Sequence, residues 1–126
     1  MSSYATLAGM TPPTVDHVSL NVDDLDAAAA FYVQLLGLTR RPDRPDFGVR
    51  GCWLDAGPVQ VHLTESAVPA DLGQHVALRV ENVARLAGTL RSAGVRVVER
   101  PLPDSQDRQV FAYDPAGNLL ELQQAP

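Results

Sequence analysis

The stretch HVSLNVDDL, residues 17–25, returns as HVALRVENV at residues 75–83. His17 meets His75, Val18 meets Val76, Leu20 meets Leu78 and Val22 meets Val80 at one constant offset. Both copies alternate apolar and other residues over about six positions, the period of a half-buried strand. Each ends in a capping residue, Asp24 or Asn82, whose short polar side chain can accept from the free N–H groups that open a helix. LDAAAAFYVQLL then predicts a helix from about Leu25 to Leu36, stopped by Gly37, and VARLAGTLRSA one from about Val83 to Ala93, stopped by Gly94.

The echo continues. DAGPVQVHL (residues 55–63) aligns with DPAGNLLEL (residues 114–122) at an offset one residue longer. Each copy therefore reads as strand, helix and three strands, over about residues 14–65 and 73–124. Residues 1–13 form a lead-in that ends at Pro12-Pro13, and SAVPADLG (residues 66–73) joins the copies inside a single domain spanning 14–124. The proline-rich stretches RPDRPDFG (residues 41–48) and ERPLPDSQDR (residues 99–108) read as loops. A lone βαβββ unit cannot bury its sheet. Two of them give an α+β architecture of eight strands with two helices covering one side.

Composition narrows the function. The chain has 126 residues and a formal net charge of −5, and no lysine. Neither nucleic acid nor an anionic membrane suits such a surface, since both select basic patches. No apolar run approaches membrane length, and the start MSSYATLAGMTPPT lacks the basic and apolar regions of a secretory signal. The only cysteine, Cys52, excludes an intrachain disulfide and fits a reducing cytoplasm.

Strand parity locates the candidate chemistry. Val18, Leu20 and Val22 point to one face of their strand, and His17, Ser19 and Asn21 to the other. The same alternation opposes Val59, Val61 and Leu63 to Gln60, His62 and Thr64. It opposes Val76, Leu78 and Val80 to His75, Ala77 and Arg79, and Leu120 and Leu122 to Leu119, Glu121 and Gln123. The apolar faces belong under the helices. All three histidines of the chain and Glu121 then share the mixed face, His17 matching His75 and His62 matching Glu121 across the repeat. If the sheet curls, they converge. Three imidazoles and one carboxylate suit zinc, nickel, iron(II), cobalt or manganese.

VDHVSLNVDDLDAAAAFYVQLLGL, QVHLTE, HVALRV and DPAGNLLEL resemble the vicinal oxygen chelate superfamily of glyoxalases, bleomycin-resistance proteins and dioxygenases. The resemblance spans about residues 14–124 and is most specific in the terminal DPxGNxxEL. It implies two βαβββ modules forming a cupped eight-stranded mixed sheet, with helices on the outer face, around one divalent metal ion. The family's ligand positions fall on His17, His62, His75 and Glu121. The implied activity is that of a glyoxalase-like lyase or isomerase acting on a small oxygenated metabolite, in which the metal stabilises an enediolate or oxyanion. Glu121, the only acidic ligand, is the base available in that set.

Extradiol cleavage fits less well, because the tyrosine that dioxygenases place four residues before Pro115 is Phe111 here. Trp53, Gln60, Thr64, Arg79, Phe111 and Tyr113 are the expected lining of the cup. A homodimer is expected, and the short link leaves open whether modules pair within one chain or across two. The alternative is a metal-free drug- or small-molecule-binding protein of the bleomycin-resistance type, which has no need of histidines at those positions.

Overall fold

Both copies of the repeated phrase form a strand that feeds a helix. The computed structural model describes residues 9–99 and 109–126. The first half contains β1 (His17–Val22), α1 (Leu25–Ala30), β2 (Thr39–Arg40), β3 (Gly51–Ala56) and β4 (Val59–Glu65). The second contains β5 (Val76–Val80), α2 (Val83–Ser92), β6 (Val97–Glu99), β7 (Gln109–Tyr113) and β8 (Leu119–Gln124). Most of the lead-in and nearly all of the loop expected at 99–108 lie outside the described residues.

The eight strands divide into two four-stranded mixed sheets, ordered β1-β4-β3-β2 and β5-β8-β7-β6. In each, the first strand runs parallel to the last and the remaining pairs are antiparallel. The register also repeats. Ser19 pairs with His62 and Leu20 with Leu63, as Ala77 pairs with Glu121 and Leu78 with Leu122. His62 and Glu121 thus occupy equivalent places beside equivalent strands.

Local chemistry explains the helices. Asp24 accepts from the N–H of Ala27 at 3.1 Å and Asn82 from that of Arg85 at 3.0 Å, which satisfies donors that would otherwise have no intrahelical partner. A second device is duplicated as well. Glu65, ending β4, accepts from the N–H of Leu25 at 3.1 Å, and Gln124, ending β8, accepts from that of Val83 at 2.8 Å. Each helix is therefore pinned at its first residue to the last strand of its own module. The first helix does not stay α-helical to Leu36 as the pattern predicts. From Phe31 to Leu35 it widens into a π-helical turn, which ends before Gly37 at φ +78°. The second helix ends at Gly94, φ +82°, with Val95 N–H donating back to the Leu90 carbonyl at 2.9 Å, a left-handed closure that favours glycine.

The apolar faces read from parity form one core. Val22, Cys52, Leu54, Val61 and Leu63 of the first sheet cluster with Val110, Ala112, Leu120 and Leu122 of the second. Leu25, Ala28, Phe31 and Tyr32 from the first helical segment and Val83, Ala87 and Leu90 from α2 belong to the same cluster. A polar staple crosses it. The buried carboxylate of Asp114 accepts from Tyr32 Oη at 2.6 Å, from the N–H groups of Ala116 and Asn118, and from Asn118 Nδ2. Asn118 Nδ2 also donates to the Asn21 carbonyl at 2.9 Å. The DPAGN turn is therefore a fixed structural joint between the two modules.

Candidate functional site

The mixed faces carry the four residues singled out by parity, and the structure groups them as two pairs. On the first sheet the rings of His17 and His62 stack, with centroids 3.9 Å apart and planes 13° from parallel. On the second, His75 Nε2 lies 3.4 Å from Glu121 Oε1. His75 sits one residue before β5 rather than within it. Among the described residues, no group of three or more His, Cys, Asp or Glu side chains is close enough to share an ion. Convergence of all four around one point inside a single chain is therefore not what these residues show.

The hydrogen bonds fix which nitrogens are available. His17 Nδ1 donates to Asp16 Oδ2 at 2.8 Å, and His75 Nδ1 donates to the Gly73 carbonyl at 2.8 Å. Neither oxygen can donate, so the proton of each neutral ring resides on Nδ1 and Nε2 carries a bare lone pair. Nδ1–H held by oxygen and Nε2 left open is the arrangement that histidine ligands of metals adopt. His62 differs. Its Nε2 donates to Gln60 Oε1 at 2.8 Å, which leaves the lone pair on Nδ1. Burial, and then the neighbouring His17, push its pKa below the ordinary histidine value, so the ring is held neutral.

The contact between His75 and Glu121 is unusual in that both atoms are acceptors when the imidazole is neutral. The two atoms lie close enough to bind one cation together. The donor set of the two pairs fits a divalent ion: imidazole nitrogens with oxygen partners behind them, and one anionic oxygen.

Two cavities flank these pairs. One, of about 330 Å³, is lined by His17, Ser19, Arg44, Phe47, Val49, Trp53, His62 and Thr64. The other, of about 280 Å³, contains His75 and runs between the modules past Ser19, Asn21, Asp71 and Asn118. Ser19 borders both. Of the lining expected from sequence, Trp53 and Thr64 face the first cavity, and Gln60 reaches it through His62. Phe111 packs edge-on against His75 at 5.6 Å. Tyr113 donates to Asp71 at 3.3 Å under the guanidinium of Arg96, and Arg79 is exposed. Arg44, Phe47 and Val49 also line the first cavity, and strand parity does not mark them. They come from the stretch between β2 and β3, where alternation carries no information; an arginine and an exposed aromatic inside a turn-rich segment were the available signal.

Comparison with known proteins agrees with the duplicated fold. The family model described as Glyoxalase/Bleomycin resistance protein/Dioxygenase superfamily matches residues 14–122. Lactoylglutathione lyase of Salmonella typhimurium is 28% identical over 122 residues, covering 86% of this chain and 90% of that protein. Lactoylglutathione lyase GLX1 of Arabidopsis thaliana is 30% identical over 119 residues, covering 84% of this chain, which spans only 42% of that longer protein. Among solved structures, TnmS3, an antibiotic binding protein from Streptomyces, has a TM-score of 0.76 at 25% identity, covering 93% of this chain and 99% of that one. A variant of the fosfomycin resistance protein FosX from Listeria monocytogenes, complexed with Mn(II) and a dihydroxypropylphosphonic acid, shares the fold. Its TM-score is 0.77 at 19% identity, covering 96% of this chain and 95% of that one. The duplicated register, the capping devices repeated at both helices and a family match over nearly all of the repeat lead to one assignment: the chain belongs to the Glyoxalase/Bleomycin resistance protein/Dioxygenase superfamily.

Proposed function

We propose that this protein is a metal-dependent lyase or isomerase of the glyoxalase type, acting on a small oxygenated metabolite, and that its site forms between two copies of the chain. In this reading His17 and His62 of one copy and His75 and Glu121 of the other hold one divalent cation. The single observation that carries it is the matched state of His17 and His75, each with Nδ1–H committed to oxygen and Nε2 bare. Two half-sites of two ligands each, related by the internal repeat, are what a twofold dimer needs in order to build two equal complete sites. The resemblance to lactoylglutathione lyases supports the reaction class.

A cation bound there would act as a Lewis acid on substrate oxygens. The chain supplies the rest. Glu121 is the acidic member of the set, its side chain 19% exposed, and can take a proton from carbon beside a carbonyl at a carboxylate oxygen and return it to the neighbouring carbon. Asp16 and the Gly73 carbonyl orient the two imidazoles. The stacked rings of His17, His62 and Trp53 wall the first cavity and limit water beside the reacting atoms.

Subunit mixing tests the proposal. His17→Ala and His75→Ala homodimers should each lose stoichiometric metal and turnover of a hemithioacetal. When the two variants are unfolded together and refolded, a mixed dimer regains one intact site, so roughly a quarter of wild-type metal and activity should return. If the mixture stays as empty as its parents, the shared site is refuted. If wild-type protein binds no divalent metal at all, the metal-free binding alternative, which TnmS3 represents among the neighbours, takes its place.

A further inference from the structure

The cavity beside His17 and His62 has features that the metal half-site does not require. Trp53 stacks on the far side of His62, with centroids 4.5 Å apart and planes 12° from parallel. Phe47 follows Trp53 at 6.2 Å, tilted by 42°. Four rings thus run in series from His17 to Phe47. The series ends abruptly, for Phe47 is 59% exposed and Val49, on the same rim, 40% exposed. Large apolar groups rimming a concave site mark a surface that something apolar covers.

Arg44 supplies the second element. Its guanidinium lies over the Phe47 ring at 5.1 Å and donates to the Val49 carbonyl at 3.1 Å. Among the described residues it forms no ion pair, although acids surround it in sequence. The reason is that those acids are committed elsewhere. Asp43 and Asp55 bind Arg41, and Asp46 accepts from the N–H of Gly48. Arg41 and Arg50 each hold two carboxylates and Arg91 holds one. In a chain of net charge −5, Arg44 is the guanidinium without a carboxylate that stands at the mouth of this aromatic cavity. It has N–H donors to spare for an anion brought from outside.

We propose that this cavity takes a small flat carboxylate, its conjugated ring continuing the stack at Trp53 and Phe47 and its anionic end on Arg44. The inference rests on the reading above, because His17 and His62 line the same cavity, and it names the substrate class of that site. A volume of about 330 Å³ is at the small end of ligand pockets and suits a molecule of one or two rings. Offset stacking and a charge-assisted hydrogen bond together select for a ligand that carries both groups.

Trp53 is the only tryptophan of the chain, so its emission reports occupancy directly. Full-length protein, untreated and stripped with chelator, is titrated with benzoate, cyclohexanecarboxylate and benzyl alcohol, and heats of binding are measured in parallel. Benzoate should alter the emission saturably in both preparations. The saturated-ring acid and the neutral alcohol should each bind about tenfold more weakly. Arg44→Gln should weaken benzoate about tenfold and leave benzyl alcohol unchanged, whereas Phe47→Ala should weaken both. Equal affinity for benzoate and cyclohexanecarboxylate, no saturable benzoate binding, or an Arg44→Gln variant with wild-type affinity would overturn the inference. Benzoate binding in a protein that takes up no metal removes the metal reading and leaves this one. Metal uptake without benzoate binding does the reverse.

Discussion

Tyr32 Oη donates to Asp114 Oδ2 at 2.6 Å, joining residues 82 positions apart across the core. The tyrosine is fully buried, and Asp114 keeps three further donors from its own turn. Tyr32→Phe should therefore cost about 1–3 kcal/mol, the range for leaving one polar partner short in a buried site. Asp114→Ala should cost more, because it removes the acceptor from two backbone N–H groups and from the Asn118 side chain as well as from Tyr32. Urea denaturation of the three proteins gives the order directly. A Tyr32→Phe variant as stable as the wild type would show that the staple contributes nothing.

The same pair sets an alkaline limit. Burial first, and then the charge of Asp114, raise the pKa of Tyr32 far above the usual 10.0. The unfolded chain then releases that proton first. Stability from this group is complete below about pH 10 and falls as pH rises beyond it. Between about pH 8 and pH 11 the wild type should lose more stability than Tyr32→Phe does, since the variant has no phenol to ionise. Parallel loss in both proteins would contradict this.

Much of this architecture is legible in the sequence, because duplication makes each signal appear twice. The caps Asp24 and Asn82, the stops Gly37 and Gly94, and the parity of β1, β4 and β8 all lie where periodicity puts them. The π-helical turn at Phe31–Leu35 was not legible; within it Tyr32 bonds Asp114 in the other module, a tertiary contact that helical periodicity does not report. Nor was the splitting of the four ligand candidates into His17 with His62 and His75 with Glu121. Parity assigns a side chain to a face of a strand, and says nothing of how two sheets sit relative to each other. Arg44 and Phe47 escaped for a further reason, since a loop held by Arg41, Asp43 and Asp46 has no period to read.

Gly51 is where that loop meets the sheet. A Cβ built there would lie 2.5 Å from the Leu63 carbonyl oxygen and 2.6 Å from Arg44 Nη2. The arginine can swing away, but the backbone of β4 cannot. Gly51→Ala should therefore destabilise the fold by about 1–3 kcal/mol, as overpacking does, and displace Arg44 from Phe47. Thermal unfolding reads the first effect, and weakened benzoate binding the second. A variant with unchanged melting and unchanged binding would mean that the β3–β4 pairing tolerates more space than the structure provides.

Cys52 offers a probe of opening that leaves the sites alone. It is 2% exposed on β3, and burial raises its thiol pKa above the ordinary value. Thiolate is the reactive form, so both access and ionisation oppose labelling. The native protein should react with an aromatic disulfide reagent orders of magnitude more slowly than the denatured chain, at a rate set by opening. Tyr32→Phe and Gly51→Ala should each accelerate it about tenfold per ~1.4 kcal/mol of lost stability, provided the opening that exposes Cys52 is global. Rapid labelling of the folded wild type would place Cys52 at the surface rather than in the core with Leu54 and Leu63.

An oxygen stands behind each imidazole of the matched pair. Asp16 holds Nδ1–H of His17, and the Gly73 carbonyl does the same for His75. The first is a side chain and can be removed. Asp16→Ala should leave metal stoichiometry intact and weaken affinity about tenfold, the low end for loss of a ligand's supporting partner, because the Asp16 side chain is 87% exposed and water can replace it in part. Gln60→Leu takes away the acceptor for His62 Nε2–H at a half-buried position, where water replaces it less easily, so its loss of affinity should equal or exceed that of Asp16→Ala. Competition with a chromogenic chelator measures both. Should affinity survive both substitutions unchanged, the hydrogen bonds do not orient ligands, and the matched state of His17 and His75 would no longer point to a cation.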